Sequence, residues 1–201
     1  MRRLRVVQPG ARCGMLSVMS PTPAAPLPSP RDPSGPYRVC CVCLGNICRS
    51  PMAEVVLRAQ IAAAGLQDRV IVDSAGTGDW HVGDRMNPPA RKQLQRRGYD
   101  GAAHRARQFD ASWLAERDLI LAMDRSNLAN LRALAEEDGR QDVLPRIRLF
   151  GEPGGLDGAE VPDPWGGSPA DFAEVLTMLE TGMARIVSQL RDVVGAAATE
   201  R

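Results

Sequence analysis

Cys43, Arg49 and Ser50 stand close together in the stretch CLGNICRS, with Leu44, Gly45, Asn46, Ile47 and a second cysteine, Cys48, between them. A cysteine attacks as a thiolate, and an arginine offers a planar fork that matches two oxygens of a phosphate. A tight loop that opens a helix adds several backbone N–H groups aimed at one point. Gly45 is expected to let the backbone turn and approach a ligand. The field that holds an anion also stabilises a thiolate at the start of the loop. Cys43 is therefore the candidate nucleophile and Arg49 the candidate anion clamp. A buried structural cysteine would have no need of such company.

Attack on a phosphate ester also requires a proton for the leaving oxygen, which a carboxylic acid on a loop can supply. VPDPWGGSP is such a loop, with Pro162 and Pro164 stiffening it around Asp163. An Asp-Pro pair alone is a common turn. Its pairing with Cys43 and Arg49 makes Asp163 the candidate general acid. A metal site is a poorer explanation of the cysteines. Cys40 and Cys41 are neighbours in a strand pattern, so their side chains should point to opposite faces. No second cysteine pair follows, and His81 and His104 lie far along the chain. No metal or other cofactor is expected.

The elements that must position these residues alternate. YRVCCVC reads as a buried strand that ends at Cys43, and PMAEVVLRAQIAAAG as the helix behind the loop. In that helix Ser50 suits the N-cap, Pro51 the first helical position and Gly65 the stop. Met52, Val55, Val56, Ala59, Ala62 and Ala63 are expected on its inner face. RVIVDSAG, RDLILAM and RIRLFG are three further strands. NPPARKQLQRRGYD is a helix ended at Gly98, and ARQFDASWLAE contains a short one begun near Asp110. DRSNLANLRALAEEDG is opened by Asp124 or Ser126. SPADFAEVLTMLETGMARIVSQLRDVV is a long final helix behind Ser168. Strands alternating with helices predict an α/β fold: one three-layer domain, a parallel sheet with helices on both faces. Ligands of such sheets sit beyond the carboxyl ends of the strands, where CLGNICRS lies.

Composition sets the outer bounds. The chain has 201 residues, enough for one domain with a core that needs no staples. Its net charge of +1 suggests neither nucleic acid nor a charged membrane surface as partner. No apolar run approaches the roughly 18 residues of a membrane-spanning helix. The cysteines, Cys13, Cys40, Cys41, Cys43 and Cys48, are odd in number and crowded, as in a reduced intracellular protein. Residues 1–36 are rich in Pro, Ala, Ser and Arg, with no acidic residue before Asp32. They show little amphipathic period, and so read as a disordered extension, or as an upstream start in place of Met15 or Met19, rather than a transit peptide. The domain is expected over 37–195, and 196–201 as a frayed tail.

In this order, VCLGNICRSPMAE, DSAGTGDWHVG, AHRARQ, LAMDRSNL and DPWGGSPADF resemble the low molecular weight protein tyrosine phosphatases, from about Tyr37 to Val194. The resemblance implies a four-stranded parallel sheet, with a phosphate-binding loop after the first strand. It makes Cys43 the residue that forms a cysteinyl-phosphate, and Arg49 the group that holds the phosphate and stabilises the transition state. Ser50 helps the thiolate leave, and Asp163 protonates the leaving phenol and then activates water. Asn46 holds the loop through a polar network with Ser74 and His104, and Asp124 is a further supporting residue. The whole loop from Leu44 to Ser50 contacts substrate. Trp80 and Trp165 are the expected aromatic walls of a slot deep enough for phosphotyrosine. Relatives often carry tyrosine where Trp165 stands, so regulation by phosphorylation is not expected there. Relatives also suggest a reversible Cys43–Cys48 disulfide.

The expected partners are phosphotyrosine proteins, met in the cytoplasm by a monomer or weak dimer, with secretion without a signal left open. Two rival activities share the fold. Arsenate reductases that relay a disulfide need cysteines after the first helix, and none follows Cys48; a version that uses a small thiol stays open. Protein arginine phosphatases carry threonine where this chain has Ile47, whose apolar side chain suits an aryl ring. A phosphotyrosine-binding module without activity should lack the nucleophile or the acid. Arg91, Lys92, Arg96 and Arg97 crowd one helix and read as a solvated face, with a docking patch for acidic phosphoproteins as the weaker alternative.

Overall fold

β-Branched and apolar runs with buried residues along their length need cover on both sides, and four such runs pair here. The computed structural model describes residues 26–199. Its strands are β1 (Tyr37–Cys43), β2 (Val70–Gly76), β3 (Leu119–Ala122) and β4 (Ile147–Leu149). They form one sheet in the order β2-β1-β3-β4, and every pair is parallel. The helices are α1 (Arg49–Ala63), α2 (Pro88–Arg96), α3 (Trp113–Glu116), α4 (Arg125–Glu137) and α5 (Pro169–Thr199). A 3-10 turn, Gln141–Arg146, leads into β4. Among the described residues no helix is long and apolar enough to cross a membrane.

Strand alternation divides the core. Val39, Cys41 and Cys43 point into a cluster with α1, α2 and α5, while Cys40 and Val42 point into another with α3, α4 and β4. The neighbouring thiols of Cys40 and Cys41 thus enter different layers. Helix α5 supplies Phe172, Val175, Leu176, Leu179, Met183, Ile186, Leu190 and Val194 to the larger cluster. That spacing of three and four keeps one stripe inward over its whole length. Each such side chain stabilises by about 1.5–3 kcal/mol when fully buried.

Three local expectations need correction. Helix α1 buries Met52, Ala53, Val56, Leu57 and Ile61, whereas Ala59, Ala62 and Ala63 are exposed. Leu57 and Ile61 bury more apolar surface than alanines can, so they set the rotation of the helix. Its N-cap is Cys48 rather than Ser50, and Ser50 and Pro51 lie within the first turn. Helix α5 continues past Val194 to Thr199.

Of the N-terminal extension, residues 1–25 lie outside the described residues, while 26–36 pack against the domain. Leu27 lies against the larger cluster, and the Tyr37 hydroxyl donates to Pro28 O at 2.9 Å. Arg31 donates its backbone N–H to Asp118 Oδ1 at 2.6 Å and its Nη2 to Leu114 O at 2.9 Å. Asp118 is buried and also accepts from Arg38 N at 2.7 Å, so the segment helps satisfy a carboxylate that burial would otherwise penalise.

The register aligns Cys43 with Gly76, so β1 and β2 end side by side. Gly76 bonds to the segment after His104, accepting from Phe109 N and donating to Arg107 O, each at 2.8 Å. A Cβ at Gly76 would stand 2.7 Å from Leu44 O and 3.1 Å from Asn46 N. Only glycine lets the loop after β1 rest against β2 so closely.

Candidate active site

Strand β1 delivers Cys43 to the floor of a cleft of about 240 Å³, lined in part by Ile47, Arg49, His81, Asp163 and Trp165. Cys43 Sγ accepts from Asn46 N at 3.3 Å and lies 3.0 Å from Ser50 Oγ. Between them the chain curls around the sulfur. Gly45, Ile47 and Cys48 donate no N–H bond to any described residue, and α1 starts immediately after. A ring of free donors at a helix N-terminus attracts an oxyanion.

The turn itself is made elsewhere than expected. Asn46, not Gly45, has the left-handed backbone, with φ of 53°. Asparagine tolerates that region because its short amide can bond locally. Here the amide is fully used: Nδ2 donates to Ser50 Oγ at 2.8 Å and to Ser74 Oγ at 2.9 Å. Its Oδ1 accepts from Arg107 N at 3.0 Å, and the backbone carbonyl of Asn46 accepts from His104 Nε2 at 2.7 Å. Gly45 instead leaves room for the His81 ring, which would stand 2.9 Å from a Cβ there.

Arg49 is almost fully buried, and buried charge must be paired. Its Nη1 donates to Asp124 Oδ2 at 2.6 Å and to Val161 O at 3.2 Å, and its Nη2 to Asp163 Oδ2 at 2.7 Å. Its Nε makes no bond to a described residue. Asp124 serves twice, because its other oxygen caps α4 by accepting from Asn127 N at 2.7 Å. Asp163 Oδ1 accepts from Trp165 N at 3.2 Å, which ties the acid to the wall residue.

Family membership follows from sequence comparison. The family described as low molecular weight phosphotyrosine protein phosphatase matches residues 38–195. The chain belongs to this family. A low molecular weight protein-tyrosine-phosphatase of Streptomyces coelicolor is 42% identical over 158 residues, covering 79% of this chain and 96% of that one. The low molecular weight protein-tyrosine phosphatase A of Mycobacterium tuberculosis is 42% identical over 150 residues, covering 75% and 89%. Among solved structures, a protein tyrosine phosphatase of Entamoeba histolytica with Hepes in its active site matches with TM-score 0.70 at 31% identity, covering 78% and 97%.

For a low molecular weight phosphatase, the expected residues gather well. Cys43, Asn46, Ser50, Ser74 and His104 share one hydrogen-bond network, and Arg49, Asp124 and Asp163 form a second beside it. The tryptophans differ in degree. Trp80 and Trp165 do line the cleft, but at 62% and 67% exposed they stand at its rim rather than in a closed slot. Trp113 is remote, with the guanidinium carbons of Arg107 and Arg117 5.1 and 4.5 Å from its ring.

Three contributors escaped sequence reasoning. Glu54 is a buried carboxylate that accepts from Ser74 Oγ at 2.6 Å and is paired with Arg58. Its signal was an acid on the buried side of an apolar helix. Arg107 holds Asn46 through its backbone and Ser74 O through Nε at 2.9 Å. His81 lies against Gly45, with Nδ1 2.9 Å from Asp84 Oδ2.

Burial sets several proton affinities. It raises the Cys48 thiol to about 12, with nearby Cys43 adding to the effect. It pushes Cys40 and Cys41 well above the usual thiol range. It lowers His104, against the opposing hydrogen bond to Asn46. His104 therefore serves as a neutral donor to the loop. All four described cysteines are free thiols.

Proposed function

We propose that the chain is a protein tyrosine phosphatase that hydrolyses phosphotyrosine through a cysteinyl-phosphate on Cys43. The observation that carries this is the Cys43 sulfur on the floor of a cleft that also holds Arg49 and Asp163. The phosphate dianion sits on the loop N–H groups and the Arg49 guanidinium, which stabilise charge on its equatorial oxygens. The Cys43 thiolate attacks phosphorus as the bond to the phenolic oxygen breaks. Asp163, paired with Arg49 in the free site, is released as the phosphate takes the guanidinium, and in its protonated form gives that oxygen its proton. In the second step the Asp163 carboxylate takes a proton from water, the water oxygen bonds to phosphorus, and Cys43 leaves as a thiolate. Ser50, 3.0 Å from the sulfur, donates to it as that charge returns.

Substrate class follows from the walls. Trp80, Trp165, Leu44 and Ile47 form apolar sides that fit an aryl ring. Ile47 has no hydrogen-bonding group for a guanidinium, which supports phosphotyrosine over phosphoarginine. The enzyme is read as a cytoplasmic monomer or weak dimer, supported by its crowded cysteines and small net charge. The test is steady-state hydrolysis of para-nitrophenyl phosphate and a phosphotyrosine peptide, with Cys43→Ser and Asp163→Ala alongside. Activity should vanish in the first variant and fall strongly in the second. Absence of hydrolysis by the wild type, with thiol-dependent arsenate turnover instead, would overturn the reading.

A further inference from the structure

A second depression opens between α2 and the start of α5. It encloses about 260 Å³ and is lined by Pro88, Pro89, Lys92, Gln93, Arg96 and Pro169. Both of its walls grow out of active-site loops. Asn87, just before α2, donates its N–H to Ile47 O at 2.8 Å. Pro169 follows the loop that carries Asp163 and Trp165. Gln93 Nε2 fastens the walls together by donating to Pro169 O at 2.6 Å.

The charge of this groove is uncompensated. Lys92 and Arg96, spaced i and i+4, share the helix face that lines it. Neither makes an ion pair or side-chain hydrogen bond with a described residue, nor do Arg85 and Arg91 nearby. Helix α2 contains no acidic residue. The next cation shows the contrast: Arg97 is paired with Glu180 of α5 and bonded to Thr177. The carboxylate in the first turn of α5, Asp171, is turned instead to Ser168 N at 2.6 Å.

We propose that this groove docks an acidic segment of the phosphoprotein substrate, next to the phosphotyrosine held in the main cleft. The proposal rests on the phosphatase function above and adds to it a substrate class: phosphotyrosine flanked by Asp or Glu. Unpaired cations beside a proline-walled depression favour carboxylates through long-range attraction, and the continuity of both walls with the active-site loops sets the register.

The test compares kcat/KM for phosphotyrosine peptides with acidic or with alanine flanks, and for para-nitrophenyl phosphate, which is too small to reach the groove. Wild type and Lys92→Glu/Arg96→Glu are measured at low and high salt. Lys92→Gln/Arg96→Gln serves as a milder variant in case charge reversal disturbs folding. Wild type should prefer acidic flanks by about five- to tenfold at low salt, and less at high salt. Both variants should lose the preference while turning over para-nitrophenyl phosphate normally. Equal turnover of the peptides by wild type, or an undiminished preference in both variants, overturns the docking proposal and leaves the phosphatase reading standing. Failure of wild type to hydrolyse any of these esters overturns both.

Discussion

At the scale of the residue, burial raises three of the four described thiols, while Cys43 is the proposed nucleophile. Cys48 lines the same cleft as Cys43, yet burial holds its thiol near 12. Cys40 and Cys41 are fully buried and likewise kept protonated. Iodoacetamide at neutral pH should therefore alkylate Cys43 and leave Cys40, Cys41 and Cys48 unmodified, as read by peptide mapping; inorganic phosphate should protect. Modification of Cys48 at a similar rate would contradict the assignment. Asp163 makes a second residue-scale case. A general acid matters most when the leaving group is poor. Asp163→Asn should cost about 10²–10³ in kcat/KM, which reports the step that expels the leaving group, with phenyl phosphate and much less with para-nitrophenyl phosphate. Equal losses on both esters would mean that Asp163 does not deliver the proton.

At the scale of the element, one short loop is shaped by groups from several others. Strand β2 supplies Ser74, α1 supplies Ser50 and Glu54, and the segment before α3 supplies His104 and Arg107. Burial lowers His104 below its ordinary value of 6.5, so the unfolded chain binds a proton more readily than the folded one. The stability that neutral His104 contributes is fully present above about pH 6.5 and fades as pH falls toward its folded value. From pH 7 to 5, the Tm of the wild type should drop further than that of His104→Gln, which cannot titrate. Parallel curves would mean that His104 does not carry this dependence. At Asn46, alanine would lose three side-chain hydrogen bonds and keep a left-handed backbone. Asn46→Ala should reduce kcat far more than it raises KM, because the donors stay present but lose their aim.

At the scale of the whole molecule, residues 26–36 tie the N-terminal side of the sheet to the loop before β3 and to Arg146. Arg146 Nη1 donates to Ser29 O at 2.9 Å, in addition to the bonds of Arg31 and Tyr37. A chain shortened to begin at Tyr37 leaves Asp118 with fewer donors. It should be less stable by about 2–3 kcal/mol, or roughly 5–10 °C in Tm, with kcat unchanged because the segment does not line the cleft. An unchanged Tm on calorimetry would show that these contacts contribute nothing net.

Much of this protein was legible in its sequence because the signals were local. Strands with both faces apolar, helices with a three-and-four spacing, and Cys43, Arg49 and Ser50 within one loop each carry their meaning in a few adjacent residues. So does Asp124, whose side chain caps the helix that it opens. Tertiary structure alone decided what depends on distant neighbours. Ser50 looked like a cap, but a sulfur one strand-end away and an amide at Asn46 claim its hydroxyl. The alanines of α1 looked like an inner face, but α5 and the sheet reward the larger Leu57 and Ile61, and the helix turns accordingly. Glu54, Arg107 and the ring of His81 join the site through contacts across the fold, which no spacing rule encodes. A sequence states which groups can react; whether they meet depends on how burial orients the elements that carry them.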